Sequence, residues 1–323
     1  MPVIQSDYRP INALFRNPHV NTIYASLLRR SPRIKFTRER IELTDGDFLD
    51  LDWSKKGSKN LILVLAGLEG KSRSLYARAV IKHFNRNNWD AVSMNYRGCS
   101  GTKNRILRGY HMGASDDVKS TINHILDKYN YEKIVIIGYS LGGNLALKYA
   151  GEEGKNIPKE IAATVSFSVP LSIKKSNERL SKWYNWHYLK WFMFPLNRKA
   201  NGKKKQFPGK IDSYRGFFMS GSFLYFDTHF TAPANGFDTV EEYWNQSTAK
   251  PVLKDIQIPS LIIASRDDTF ISEECYPTKE AESNKSIFLE ISEHGGHCGF
   301  IRHFFEKVWW MEERALEFVK AIQ

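Results

Sequence analysis

A serine hydroxyl is a poor nucleophile at neutral pH, so a serine that does chemistry needs a turn that exposes it, a base, and an acid to orient the base. Gly138-Tyr139-Ser140-Leu141-Gly142 has the G-x-S-x-G spacing of such a turn. There the serine occupies a strained bend and the flanking glycines give clearance. Ile134-Val135-Ile136-Ile137 enters the turn as an apolar strand, and the small and apolar residues from Gly143 to Leu147 leave it as a helix. Ser140 would then project above a sheet, with a helix N-terminus beneath it that favours developing negative charge. The plainer reading is a glycine-rich turn with Ser140 as a helix N-cap. The strand–turn–helix order favours the nucleophile.

An acid and then a histidine should follow the serine in the chain. Ser260-Leu261-Ile262-Ile263-Ala264 reads as a strand and runs into Ser265-Arg266-Asp267-Asp268. Acids at the C-terminal end of such a strand lie where α/β sheets assemble their sites. The next strand, Ile287 to Ile291, leads into His294-Gly295-Gly296-His297-Cys298-Gly299. Either Asp267 or Asp268 can orient the base, and either His294 or His297 can be it. The two histidines could also hold a metal, but no Cys or acid cluster with ligand spacing accompanies them, so no metal or other cofactor is expected. The backbone N–H groups of Leu68, in the glycine-bearing loop Gly67 to Gly70, and of Leu141 are the candidates for an oxyanion hole.

The elements that must position these groups alternate along the chain. Strand-length apolar runs fall at 61–65, 91–94, 134–137, 162–167, 260–264 and 287–291, without the polar alternation of a half-exposed sheet. Such strands are covered on both faces. Helical patterns lie between and after them, for example at 111–129 and 302–322. Together they predict an open, mostly parallel central sheet with helices on both faces. Residues 41–53, with a turn signal at Asp45-Gly46, read as an antiparallel hairpin at one edge. Glu290 within the last run suggests that this strand lies nearer the other edge. The pattern breaks between about 170 and 250, which predicts a core of 1–169 and 251–323 with an inserted cap at 170–250. In the cap, Asn201-Gly202-Lys203-Lys204-Lys205 reads as a loop, and a second aromatic run spans Phe217 to Phe230.

Net charge is +12, and the segment from Lys174 to Lys210 holds eleven Lys or Arg against one acid, Glu178. Most of the basicity thus sits in the cap, beside Trp183, Tyr184, Trp186, Tyr188, Trp191, Phe192 and Phe194. Rings interleaved with lysines suit an anionic membrane surface, or a lid over an acyl chain. The blander possibilities are a solvated basic surface and a helix packed on the core. Nucleic acid ranks last as a partner, because the segment has no base-reading motif. The N-terminus lacks a basic stretch followed by an apolar core, no run of about 18 apolar residues occurs, and the three cysteines have no paired spacing. A cytoplasmic protein, free to touch a membrane peripherally, is the simplest expectation.

Several segments together resemble the YheT-like branch of the α/β-hydrolases. These are Arg16-Asn17-Pro18-His19-Val20-Asn21-Thr22, Asn95-Tyr96-Arg97-Gly98-Cys99-Ser100-Gly101, Tyr110 to Asp117, Phe226-Asp227 and Gly236-Phe237 before Tyr243, Asp267-Asp268, and Gly295-Gly296-His297-Cys298-Gly299-Phe300. The resemblance implies an α/β-hydrolase fold and selects Asp268 as the acid and His297 as the base. Two positions depart from the branch: Ala66 stands where a histidine is usual, and Thr269 where a proline is usual. The expected activity is serine hydrolysis of acyl or lipid esters through Ser140, Asp268 and His297. A thioesterase or acyltransferase would use the same groups, and a lipid-binding protein that has kept the fold is the alternative from another class.

Overall fold

Nine strands join in one sheet in the computed structural model, which describes residues 3–29, 32–211, 213–216 and 221–322. They are β1 (Val3–Gln5), β2 (Thr37–Glu42), β3 (Phe48–Ser54), β4 (Asn60–Leu65), β5 (Asp90–Asn95), β6 (Lys133–Tyr139), β7 (Ile161–Phe167), β8 (Ser260–Ser265) and β9 (Ile287–Ser292). Their order across the sheet is β1-β9-β8-β7-β6-β4-β5-β3-β2. From β1 to β5 every pairing is parallel. The hairpin β2–β3, in register from Glu42 opposite Phe48 to Thr37 opposite Trp53, adds antiparallel strands at one edge.

The helices are α1 (Pro18–Ile23), α2 (Leu75–Arg86), α3 (Ser115–Lys128) and α4 (Leu141–Glu153), then α5 (Ile173–Leu180), α6 (Trp186–Gln206), the short turns α7 (Phe223–Phe226) and α8 (Ala232–Ala234), α9 (Val240–Ser247), α10 (Thr278–Ser283) and α11 (Trp310–Ala321). The period of two in a strand sends alternate side chains to opposite faces. Ile62, Val64, Val135 and Ile137 pack against Val80 and Phe84 of α2 and Met311 and Ala315 of α11. Leu61, Leu63, Ile134 and Ile136 meet Val118 and Ile122 of α3 and Leu145 of α4 on the other face. That two-sided cover is why these strands read as unbroken apolar runs. Each such Leu, Ile or Val contributes roughly 1.5–3 kcal/mol by its burial.

Strand β9 lies near the edge of the sheet, as its Glu290 suggests, with only the three-residue β1 outside it. Glu290 is tolerated there because Arg314 (2.7 Å) and Ser6 (2.9 Å) satisfy its carboxylate. The last helix starts at Trp310, not near 302, because Glu312 fixes its first turn: its carboxylate accepts the Trp309 N–H (2.8 Å) and pairs with Arg29 (2.6 Å). Residues 201–205 are not a loop but the last turns of α6. Lysines suit a helix C-terminus, and the Lys203 ammonium is anchored on the carbonyls of Asn104 and Ile106. Residues 168–259, between β7 and β8, carry α5 to α9. Phe217 and Phe218 of the second aromatic run lie outside the described residues.

Candidate active site

The turn between β6 and α4 is shaped by what its glycines lack. A Cβ on Gly138 would fall on the Gly142 carbonyl, and one on Gly142 on the Leu65 carbonyl, both well inside the 3.0 Å that real Cβ atoms respect. With those approaches allowed, the chain reverses at Ser140 with φ 52° and ψ −115°, a conformation costly for an L residue. The Ser140 N–H donates to the Phe167 carbonyl (2.8 Å), which locks the bend to β7. The Ser140 hydroxyl makes no capping bond to α4. It enters a cavity of about 550 Å³ instead.

Each of the two candidate acids is paired with one of the two candidate histidines. Asp268 is fully buried, and its carboxylate lies 2.9 Å from Nδ1 of His297. The same carboxylate accepts the N–H groups of Phe270 (2.7 Å) and Ile271 (3.2 Å). An aspartate that bonds its own turn in this way supplies the rigidity that a proline at 269 would otherwise give. Asp267 accepts the Gly296 N–H (2.9 Å) and sits 3.4 Å from Nδ1 of His294, a half-exposed ring. Burial raises the Asp267 carboxyl above the usual range. Ser140 and His297 line the cavity together, whereas His294 lines a separate surface depression with Gln5 and Arg9.

The histidine loop depends on a segment almost 280 residues away. The His297 N–H donates to Oγ1 of Thr22 (2.9 Å), which itself donates to the Pro18 carbonyl (2.7 Å). Asn21 accepts the Ile301 N–H (3.2 Å) and donates to Tyr8 and Phe15. A Cβ on Gly296 would lie 2.6 Å from the Pro18 oxygen, and one on Gly299 would overlap the Asn21 amide. Helix α1 is thus packed directly on the loop's glycines. In the sequence, Asn17 to Thr22 stand out only as a point of family resemblance. No local pattern signals a contact over that separation. From the other side, Arg179 of α5 donates to the Asp268 carbonyl (3.1 Å) and Asn185 to that of Thr269 (2.8 Å).

Leu68 and Leu141 also line the cavity. Leu141 opens α4, where a backbone N–H has no intrahelical acceptor. The Leu68 loop is held by Tyr76, whose hydroxyl accepts the Gly67 N–H (2.9 Å), and by Tyr96, which donates to the Ala66 carbonyl (2.5 Å). Ala66 therefore leaves the loop's backbone fixed. Apolar side chains such as Met112, Ile173, Phe192, Phe226 and Phe230 make up much of the remaining wall. Buried ionisable groups border it. Burial lowers the His111 pKa to about 3, so the ring is neutral, and pushes the Asp227 carboxyl up to about 6 despite bonds from Trp244 (2.9 Å) and Thr231 (2.8 Å). Lys199 bonds Glu69 (2.8 Å) and the Cys99 thiol (2.9 Å), and Lys71, Lys103 and Arg198 reach the exposed rim. Among the described residues no cluster of three His, Cys, Asp or Glu side chains could hold a metal ion.

The family described as alpha/beta hydrolase fold matches residues 60–304. YheT of Escherichia coli (strain K12) is 32% identical over 308 residues, which is 93% of this chain and 89% of YheT. The Homo sapiens phospholipase ABHD3 is 27% identical over 336 residues, 99% of this chain and 80% of its own length. Among solved structures, the Pyrococcus furiosus esterase Pf2001 superposes with a TM-score of 0.60 at 18% identity, over 91% of this chain and 95% of that one. At that identity the likeness concerns the fold alone. No helix among the described residues is long and apolar enough to cross a membrane.

Proposed function

The chain belongs to the YheT-like branch of the α/β-hydrolases, and from that footing we propose that it cleaves carboxylic esters, with Ser140 as nucleophile, His297 as base and Asp268 as orienting acid. One arrangement carries the reading: Ser140 and His297 line the same cavity, and the His297 Nδ1 is held 2.9 Å from a fully buried carboxylate. That bond turns Nε2 toward the cavity as the proton acceptor.

In the proposed cycle Ser140 Oγ attacks the ester carbonyl and its proton passes to His297 Nε2. Asp268 stabilises the imidazolium without taking the proton. The N–H groups of Leu68 and Leu141 receive the developing oxyanion. The intermediate collapses, and the alcohol leaves with the proton from His297. Water, deprotonated by the same imidazole, then attacks the acyl carbonyl and frees the acid and Ser140. Residues 170–250 act as a cap over this cavity. Its apolar wall fits an acyl chain. The cations at its rim, with the phospholipase among the relatives, favour a phospholipid among such esters.

The test is hydrolysis of a series of neutral p-nitrophenyl acyl esters by wild type, Ser140→Ala and His297→Ala. Turnover by wild type and its loss in both variants, with folding intact, is expected. Turnover that survives Ser140→Ala would overturn the assignment, and binding of acyl ligands without any turnover would favour the lipid-binding alternative.

A further inference from the structure

Water-soluble helices bury their tryptophans, and α6 does the reverse. Trp186 is 55% exposed, Trp191 62% and Phe194 65%, and Trp183, just before the helix, is 82% exposed. At 100° per residue, Trp186, Lys190, Phe194, Arg198 and Trp191 fall in one arc of α6. Leu224 is 51% exposed next to Phe223, whose ring meets Phe192 of α6 at 6.4 Å. The opposite side of α6 is committed inward: Tyr188, Met193, Leu196 and Ala200 are buried, and Phe192, Leu196 and Lys199 line the cavity over Ser140.

The charge on the outer arc has one sign. Lys182, Lys190 and Arg198 are exposed, and the Lys190 ammonium lies 4.5 Å from the centre of the Trp186 ring. Glu178 is the sole acid from 174 to 210 and is bonded to Lys175 (2.9 Å). Aromatic rings at headgroup depth with cations among them match an anionic bilayer in both chemistry and shape, whereas a second copy of this basic face would repel it.

We propose that Trp183 and the outer arc of α6, from Trp186 to Arg198, form a docking surface for an anionic lipid bilayer. Docked in this way, one helix separates the bilayer from the cavity. A lipid leaving the membrane meets the rim residues Arg198 and Lys199 first. The docking itself does not depend on catalysis by Ser140.

The test is co-sedimentation of the full chain carrying Ser140→Ala with phosphatidylcholine vesicles and with vesicles of phosphatidylcholine and phosphatidylglycerol. Using this variant keeps lipid binding separate from the esterase reading. Sedimentation with the mixed vesicles, weaker with the neutral ones, is expected, with the tryptophan fluorescence quenched by brominated lipid. Adding Trp186→Ala, Trp191→Ala and Phe194→Ala should reduce binding about tenfold or more, because each exposed ring removed deletes interfacial contact area. Circular dichroism checks the fold of these surface variants. The ester hydrolysis of the wild type and of the chain with only the three surface changes should agree on a short, soluble substrate. Absence of vesicle binding, equal binding with the three rings removed, or light scattering that reveals a dimer broken by those changes would each overturn the proposal.

Discussion

At the scale of single residues, the fold separates two neighbours that composition cannot. Asp268 is buried against His297, and Asp267 against the half-exposed His294. Asp268→Asn should lower kcat by about 10⁴-fold, because an amide favours the wrong histidine tautomer. Asp267→Asn and His294→Ala should leave it within a few-fold. Steady-state hydrolysis of one soluble ester checks all three. Asp227 gives a pH prediction. Its carboxyl titrates near 6 in the native protein, against 3.8 for the free group. Between those values the native state keeps a proton that the unfolded state has released, so stability is lost as pH rises from about 4 to 6. The loss relative to Asp227→Asn should approach roughly 3 kcal/mol, read from denaturant midpoints at pH 4, 5, 6 and 7. A constant difference across that range would contradict it.

At the scale of elements, the site is a set of loops whose glycines admit close neighbours. Gly142→Ala would drive a Cβ onto the Leu65 carbonyl, part of the backbone of β4, and should cost at least about 3 kcal/mol. Thr22→Val deletes the acceptor of the buried His297 N–H. It should cost about 1–3 kcal/mol by urea unfolding and lower kcat further than a purely structural loss would. The strands and the Ser140 turn were legible because a doubly covered strand writes its burial as an apolar run and the turn writes its sterics as glycine. Strand β1 was not, because three residues carry no period. The helical end of α6 was not, because Gly202 and consecutive lysines look like a loop until the carbonyls of Asn104 and Ile106 are there to hold Lys203. Which acid lies beside which histidine was not legible, because Asp267 and Asp268 are adjacent in the chain and only the folded loops set Asp268 against His297 and Asp267 against His294. The bracing of His297 by Thr22 joins opposite ends of the chain, which no local reading reaches.

At the scale of the molecule, the segment between β7 and β8 is tied to the candidate site. Arg179 and Asn185 hold the carbonyls of the acid loop, and α5 to α7 supply part of the cavity wall. Removing wall volume should therefore change which chain fits. Phe230→Ala should shift the optimum of kcat/KM toward longer acyl esters, and Ile173→Phe toward shorter ones, when a graded chain-length series is assayed. An unchanged profile in both would mean that the acyl group lies elsewhere.

Activation of one serine by the fold is read most directly by intact mass after treatment with a fluorophosphonate. Wild type should gain a single adduct, Ser140→Ala none, and Asp268→Asn should react far more slowly. An adduct that persists in Ser140→Ala, or folded wild type that gains none with the reagent in excess, would contradict the account.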